Sequence, residues 1–196
     1  MVPAPQFPKE SSSPVRVLTL IGLLLAGGIT PLGAQHGGQV EIGAFGSYTR
    51  YDSGLQLDNQ FGGGARVGYF LGNHFSLEVD ANVAQPLSQL SGVGKTTTAF
   101  GSVSLVISSG SAYVLGGYSR LYMGPNPPYH SDLNALHGGL GERIFFAGDH
   151  VALRLEARGY YRGPGGVRAS NHWVGHFAGM AGLSFFLSGA KSTNGR

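Results

Sequence analysis

Cysteine is absent from the chain. Its absence removes disulfides, thiolate metal sites, a cysteine nucleophile and a lipidated cysteine anchor together. Charge is scarce too. Lysine, arginine, aspartate and glutamate make up 12% of residues, about half the ~25% usual in soluble domains. With 42% hydrophobic residues and a mean hydropathy of +0.03, this scarcity describes a chain with little water-facing surface, not a disordered one. A net charge of +3 is too small and too scattered to suggest a nucleic-acid partner. Long hydrophobic runs are missing beyond residue 35, where no stretch reaches the ~18 apolar residues that a membrane-spanning helix needs. What remains is 196 residues, enough for one domain with a sizeable core.

The one continuous apolar run lies near the start. Lys9 and Arg16 supply a positive beginning, Val17–Ile29 is apolar, and Leu32-Gly33-Ala34 ends in small residues. This is the layout of an export signal, with cleavage expected after Ala34 and a mature chain starting near Gln35.

Past that point the apolar residues are spread by alternation. The run from His150 to Tyr161 shows it best. Val151, Leu153, Leu155 and Ala157 share one parity, while Ala152, Arg154, Glu156 and Arg158 share the other. Side chains of a strand alternate faces with period 2, so this strand has one oily face and one charged face. Eight such runs are expected: Val40–Tyr51, Phe61–Leu71, Phe75–Ala84, Thr96–Ile107, Ala112–Tyr122, Leu136–Phe146, His150–Tyr161 and Trp173–Leu187. Glycine, at 34 residues, is frequent inside them and marks the bends of a strongly curved sheet. The connections alternate without exception. Asp52–Gln60, Gln85–Lys95, Met123–Asp132 and Arg162–His172 are long; Gly72–His74, Ser108–Ser111 and Ala147–Asp149 are tight. That is the rhythm of an eight-stranded antiparallel up-and-down transmembrane β-barrel, with short periplasmic turns, long external loops and periplasmic termini. Aromatics near the strand ends are expected to form two girdles. Tyr48, Tyr51, Tyr160, Tyr161 and Trp173 flank the long loops; Tyr69, Phe75, Phe145, Phe146 and Phe185 lie toward the other end. Residues 35–187 make the barrel and Ser188–Arg196 a disordered polar tail.

A barrel of eight strands has an interior just wide enough for side chains to fill. The parity opposite the oily face sends Arg66, Glu78, Asp80, Arg154, Glu156 and Arg158 inward. Opposed charges in such a space must pair, and Arg154 or Arg158 is expected to meet Glu78 or Asp80 across the lumen. Two registers stay open. In the sixth run Leu136, Leu140 and Ile144 share parity with Glu142, which requires a bulge or a place for Glu142 near the headgroups. The fifth run fits either parity.

Other motifs weigh less. Gly92-Val-Gly-Lys-Thr-Thr97 resembles part of a phosphate loop, but Gln89 stands where the pattern needs glycine and a strand-like segment follows the lysine. The seven histidines show no helical metal spacing. Ser170, His172 and His176 form the one Ser/His group at the loop rim, the arrangement a lipid-modifying acyl hydrolase or transferase would use.

The segments Gly138-Gly-Leu-Gly141, Val151-Ala-Leu-Arg-Leu-Glu156, Leu71-Gly-Asn-His-Phe-Ser-Leu-Glu-Val-Asp80 and Ala181-Gly-Leu-Ser-Phe-Phe-Leu187 resemble hairpins and the final strand of the OmpA-like transmembrane domain, the outer-membrane-protein β-barrel family. The resemblance spans residues 39–187. It implies a bacterial outer-membrane location, contact with outer-membrane lipids including lipopolysaccharide, and handling by the barrel-assembly machinery during insertion. Two departures from the family stand out: a tail follows the last aromatic, and no peptidoglycan-binding domain follows the barrel. A structural or surface-interaction role is then expected: envelope integrity, adhesion through an extracellular ligand of the loops, or a narrow porin-like channel, without cofactor, metal or catalysis. The competing readings are the lipid-modifying enzyme and a soluble lipocalin-like barrel, in which the oily parity would point inward.

Overall fold

The computed structural model of the protein describes residues 36–124, 129, 132–146, 150–162 and 174–187. Its eight strands are β1 (Val40–Arg50), β2 (Gln60–Phe70), β3 (Phe75–Ala84), β4 (Thr98–Ser109), β5 (Ala112–Met123), β6 (Leu133–Phe146), β7 (Val151–Arg162) and β8 (Val174–Leu187). Each pairs antiparallel with the next, and β1 pairs with β8 to close the barrel. Closure leaves no strand edge unpaired, as a sheet surrounded by hydrocarbon requires. Strand ends differ from the sequence expectation by at most three residues, the most at β6, which begins at Leu133 instead of Leu136. The expected export signal, the expected polar tail, and residues 147–149, 163–173 and most of 125–131 lie outside the described residues.

Alternation decides the wall. On β3, Phe75, Leu77, Val79 and Val83 point outward and are exposed, while Ser76, Glu78, Asp80 and Asn82 are buried inside. The same order holds on β7, where Arg154, Glu156 and Arg158 are buried. A lipocalin-like barrel needs the reverse. The fifth strand resolves with Tyr113, Leu115, Ser119, Leu121 and Met123 inside and Val114, Tyr118 and Tyr122 outside. In β6 the ladder to both neighbours runs without a bulge. Glu142 therefore keeps the outward parity, partly covered, and accepts a hydrogen bond from the Ser111 hydroxyl at 3.1 Å.

The girdle expectation needs correction at three of its ten residues. Tyr51, Tyr160 and Phe145 turn inward. Tyr160 is 1% exposed and its neighbour Tyr161 is 61% exposed, because consecutive strand residues face opposite ways. Phe145 packs against Phe70, Ala152 and Phe186 inside the turn end. Tyr48, Tyr69, Phe75, Phe146, Tyr161 and Phe185 are outward and exposed; Trp173 lies outside the described residues.

Candidate functional site

The interior is layered along its axis. At the turn end an aromatic plug forms from Phe70, Phe145 and Phe186, with ring centroids 5.1 Å apart for Phe145–Phe186 and 6.1 Å for Phe70–Phe186. Above it lies the charged layer. Arg154 pairs with Glu78, with Glu41 at 2.9 Å and with Glu156 at 2.9 Å. Arg158 meets Asp80 at 2.7 Å and Glu156 at 2.6 Å. Arg66 meets Glu156 at 2.9 Å, and Arg143 meets Glu41 at 3.1 Å. The Tyr113 hydroxyl accepts from Arg154 Nε at 2.7 Å and donates to Glu156 at 2.7 Å. The strand passes close beside that hydroxyl at Gly141, where a Cβ would stand 2.3 Å from it, so glycine there leaves the tyrosine its room.

The six charges expected inside are all there, buried, and two more join them. Glu41 and Arg143 make the layer four guanidinium groups against four carboxylates, neutral as a unit. Both were legible by parity: Glu41 alternates with outward Val40 and Ile42, and Arg143 with outward Ile144. Guanidinium planes also cover aromatic faces, Arg143 and Arg154 each 4.5 Å from the Tyr113 ring centroid and Arg66 4.5 Å from Phe45, an attraction that strengthens once water is excluded.

Toward the loop end, His137 bridges two hydroxyls, Ser104 Oγ at 2.8 Å and Ser119 Oγ at 2.7 Å. All three side chains are buried within the wall. Beyond them an apolar cap fills the mouth. Phe45, Phe100, Leu121 and Tyr160 of the barrel pack with Leu55 and Leu57 of the first long loop and Tyr129 of the third. The first and second long loops are tied by the Leu57–Ser88 bridge and by Gln89 N–H donating to the Gln56 carbonyl at 2.8 Å. Tyr129 is fully buried. Its hydroxyl donates to the carbonyls of Leu55 at 2.8 Å and Gln56 at 3.1 Å. Tyr129→Phe removes that tie while keeping the ring. The expected loss is about 1 kcal/mol, read as faster protease cleavage within residues 51–59 of the otherwise folded barrel; unchanged cleavage would show that the ring alone holds the cap.

The expected Ser/His rim group is only partly visible. Ser170 and His172 lie outside the described residues, and His176 points into the barrel, where its Nδ1 accepts from the Asp52 N–H at 3.0 Å. In the phosphate-loop look-alike, Gly92 and Gly94 take positive φ within a turn that leads into β4, so a loop and a strand stand where a phosphate loop needs a helix. Among the described residues no three His, Cys, Asp or Glu side chains are grouped to hold a metal.

A closed eight-stranded wall, oily outside and ion-paired inside, defines a class: the small transmembrane barrel. No protein-family model matches the chain, and no curated protein matches it. Solved structures do, in shape. The outer-membrane protein OprG of Pseudomonas aeruginosa is 14% identical with a TM-score of 0.54, covering 79% of this chain and 99% of that one. The N-terminal β-barrel domain of P. aeruginosa OprF is 18% identical with a TM-score of 0.52, covering 78% and 100%. Neisserial surface protein A is 16% identical with a TM-score of 0.52, covering 75% and 95%. The fold is that of small eight-stranded outer-membrane barrels, the OmpA-like fold.

Proposed function

We propose that the protein is a bacterial outer-membrane barrel with a structural or surface-interaction role and no catalytic one. The observation that carries this is the inverted wall. Leucine, valine, isoleucine and aromatic side chains are exposed around the outside while eight charges are buried within. In water such a wall would leave apolar area exposed far beyond what a soluble monomer tolerates; in hydrocarbon it matches its surroundings. The short turns then face the periplasm and the long loops the exterior, with lipopolysaccharide and other outer-membrane lipids around the wall. The barrel-assembly machinery would meet the aromatic end of β8 during insertion. A neutral ion-paired layer beneath an apolar cap supports a mechanical or display role more than a wide pore. An extracellular ligand would meet the outer surface of the tied loops.

Two measurements test this. The chain should fractionate with the outer membrane and show heat-dependent gel mobility in detergent; recovery in the soluble periplasm would overturn the reading. Protease added to intact cells should cut within the long loops and spare residues 71–74 and 110–111; the opposite pattern would reverse the orientation.

A further inference from the structure

The outer wall is not evenly bulky. On four adjacent strands its outward positions become small: Gly46 on β1, Gly179 and Ala181 on β8, Ala157 and Gly159 on β7, and Gly138 on β6. The register sets them side by side, with Gly46 opposite Ala181, Ala157 opposite Gly179, and Gly138 opposite Gly159. Tyr48, Phe61 and Phe177 stand over one end of this patch; Leu140, Val114 and Ile107 flank the other. The result is an open apolar groove in the outer wall, whose lining continues past the patch to β2 on one side and to β5 and β4 on the other.

One group in its lining is out of character. Glu142 is the only acidic side chain on the outward parity among the described strand residues. One carboxylate oxygen accepts from Ser111, and no cation among the described residues pairs with it. It stands at a step in the wall. The β5–β6 ladder ends at the Ala112–Glu142 pair, whereas β6 and β7 continue together to Phe146–Val151. The carboxylate therefore borders both the groove and the short β4–β5 turn.

We infer that this groove binds a phospholipid carrying a primary ammonium headgroup, with an acyl chain along the glycine and alanine floor and the ammonium on Glu142. The inference rests on the membrane reading proposed above and names the lipid that the wall selects. The argument for the occupant is charge and donor complementarity. A partly covered carboxylate attracts an ammonium and repels a headgroup that is only anionic. A primary ammonium also donates hydrogen bonds that a quaternary one lacks.

The probe is the folded barrel in non-ionic detergent, exposed to equal amounts of phosphatidylethanolamine, phosphatidylglycerol and phosphatidylcholine, with retained lipid read by native mass spectrometry. Phosphatidylethanolamine should be retained about fivefold over either competitor, and Glu142→Gln should abolish the preference. Gly179→Leu fills the floor without strain, since a Cβ there meets nothing within 4 Å; it should reduce retention of all three lipids while leaving the heat-dependent gel shift intact. Equal retention by a wild-type barrel that still shows the shift would overturn the lipid site alone. So would a preference that survives Glu142→Gln, or a stable dimer that Gly179→Leu disperses. A chain that stays soluble in buffer and shows no shift would overturn the membrane reading and this site together.

Discussion

Replacing Arg154 with leucine will destabilise the folded barrel by about 3–5 kcal/mol, the cost of removing one partner from a buried ion pair. Arg154 touches Glu41, Glu78, Glu156 and the Tyr113 hydroxyl from a fully buried position. Without it Glu41 keeps Arg143 and Glu156 keeps Arg66 and Arg158, but Glu78 retains only longer contacts, to Arg66 at 3.5 Å and Arg158 at 3.6 Å. Four carboxylates then face three guanidinium groups in a space with no room for bulk water. The loss should appear as a lower urea midpoint for the heat-shifted gel band, with the slope unchanged. Arg120→Leu is the control. Its ion pair with Asp132 is mostly exposed, and pairs of that kind contribute at most ~1 kcal/mol. The double variant Arg154→Leu with Glu78→Leu removes a charge of each sign and should recover part of the loss, since the two side chains are in contact. Equal midpoints for Arg154→Leu and Arg120→Leu would mean that water reaches the layer and screens it.

How far the sequence reveals this interior follows from the physics of a strand. Parity is local information, so β7, with charge on every other residue, announces both its faces. The same rule applied to Tyr160 puts it beside Arg158, inside; nearness to a loop suggests a girdle but says nothing of the face the ring takes. Glu41, a single charge between Val40 and Ile42, is open to the same rule; Arg143 is open to it only through Ile144 and Leu140, because Glu142 beside it carries charge on the opposite parity. On β5 the rule misleads, because Tyr113 and Leu115 alternate with Val114 and glycines, and the strand's one charge, Arg120, stands on the outward parity near the loop end. Closure to neighbours of known register settles what β5 cannot settle alone. The cap has no period at all. Leu55, Leu57 and Tyr129 are isolated apolar residues in polar loops, and only contacts across more than 70 residues of chain make them a core.

Gly117→Val will prevent the barrel from closing, whereas Gly116→Val, one residue away, will be tolerated. Both glycines sit mid-strand on β5, and neither has a positive φ, so backbone freedom does not separate them. Space does. A Cβ on Gly117 would lie 2.0 Å from the Val103 carbonyl oxygen and 2.8 Å from Ser104 Cα, both backbone atoms of the paired strand β4. No rotamer change can relieve a backbone clash; β4 and β5 would have to part where Ser104 and Ser119 hold His137 from either side. A Cβ on Gly116 meets only the His137 carbonyl, at 3.7 Å, and points outward, where valine suits both a strand and a hydrocarbon surface. The expected cost of Gly117→Val is ~3 kcal/mol or more, at or beyond the upper end of ordinary overpacking, and that of Gly116→Val is within ~0.5 kcal/mol of zero. Refolding each variant into detergent and scoring the heat-shifted band measures both. Gly117→Val should leave little or no folded band while Gly116→Val folds like the parent. Equal yields from the two would show that the close approach of β4 and β5 is not a feature of the folded wall.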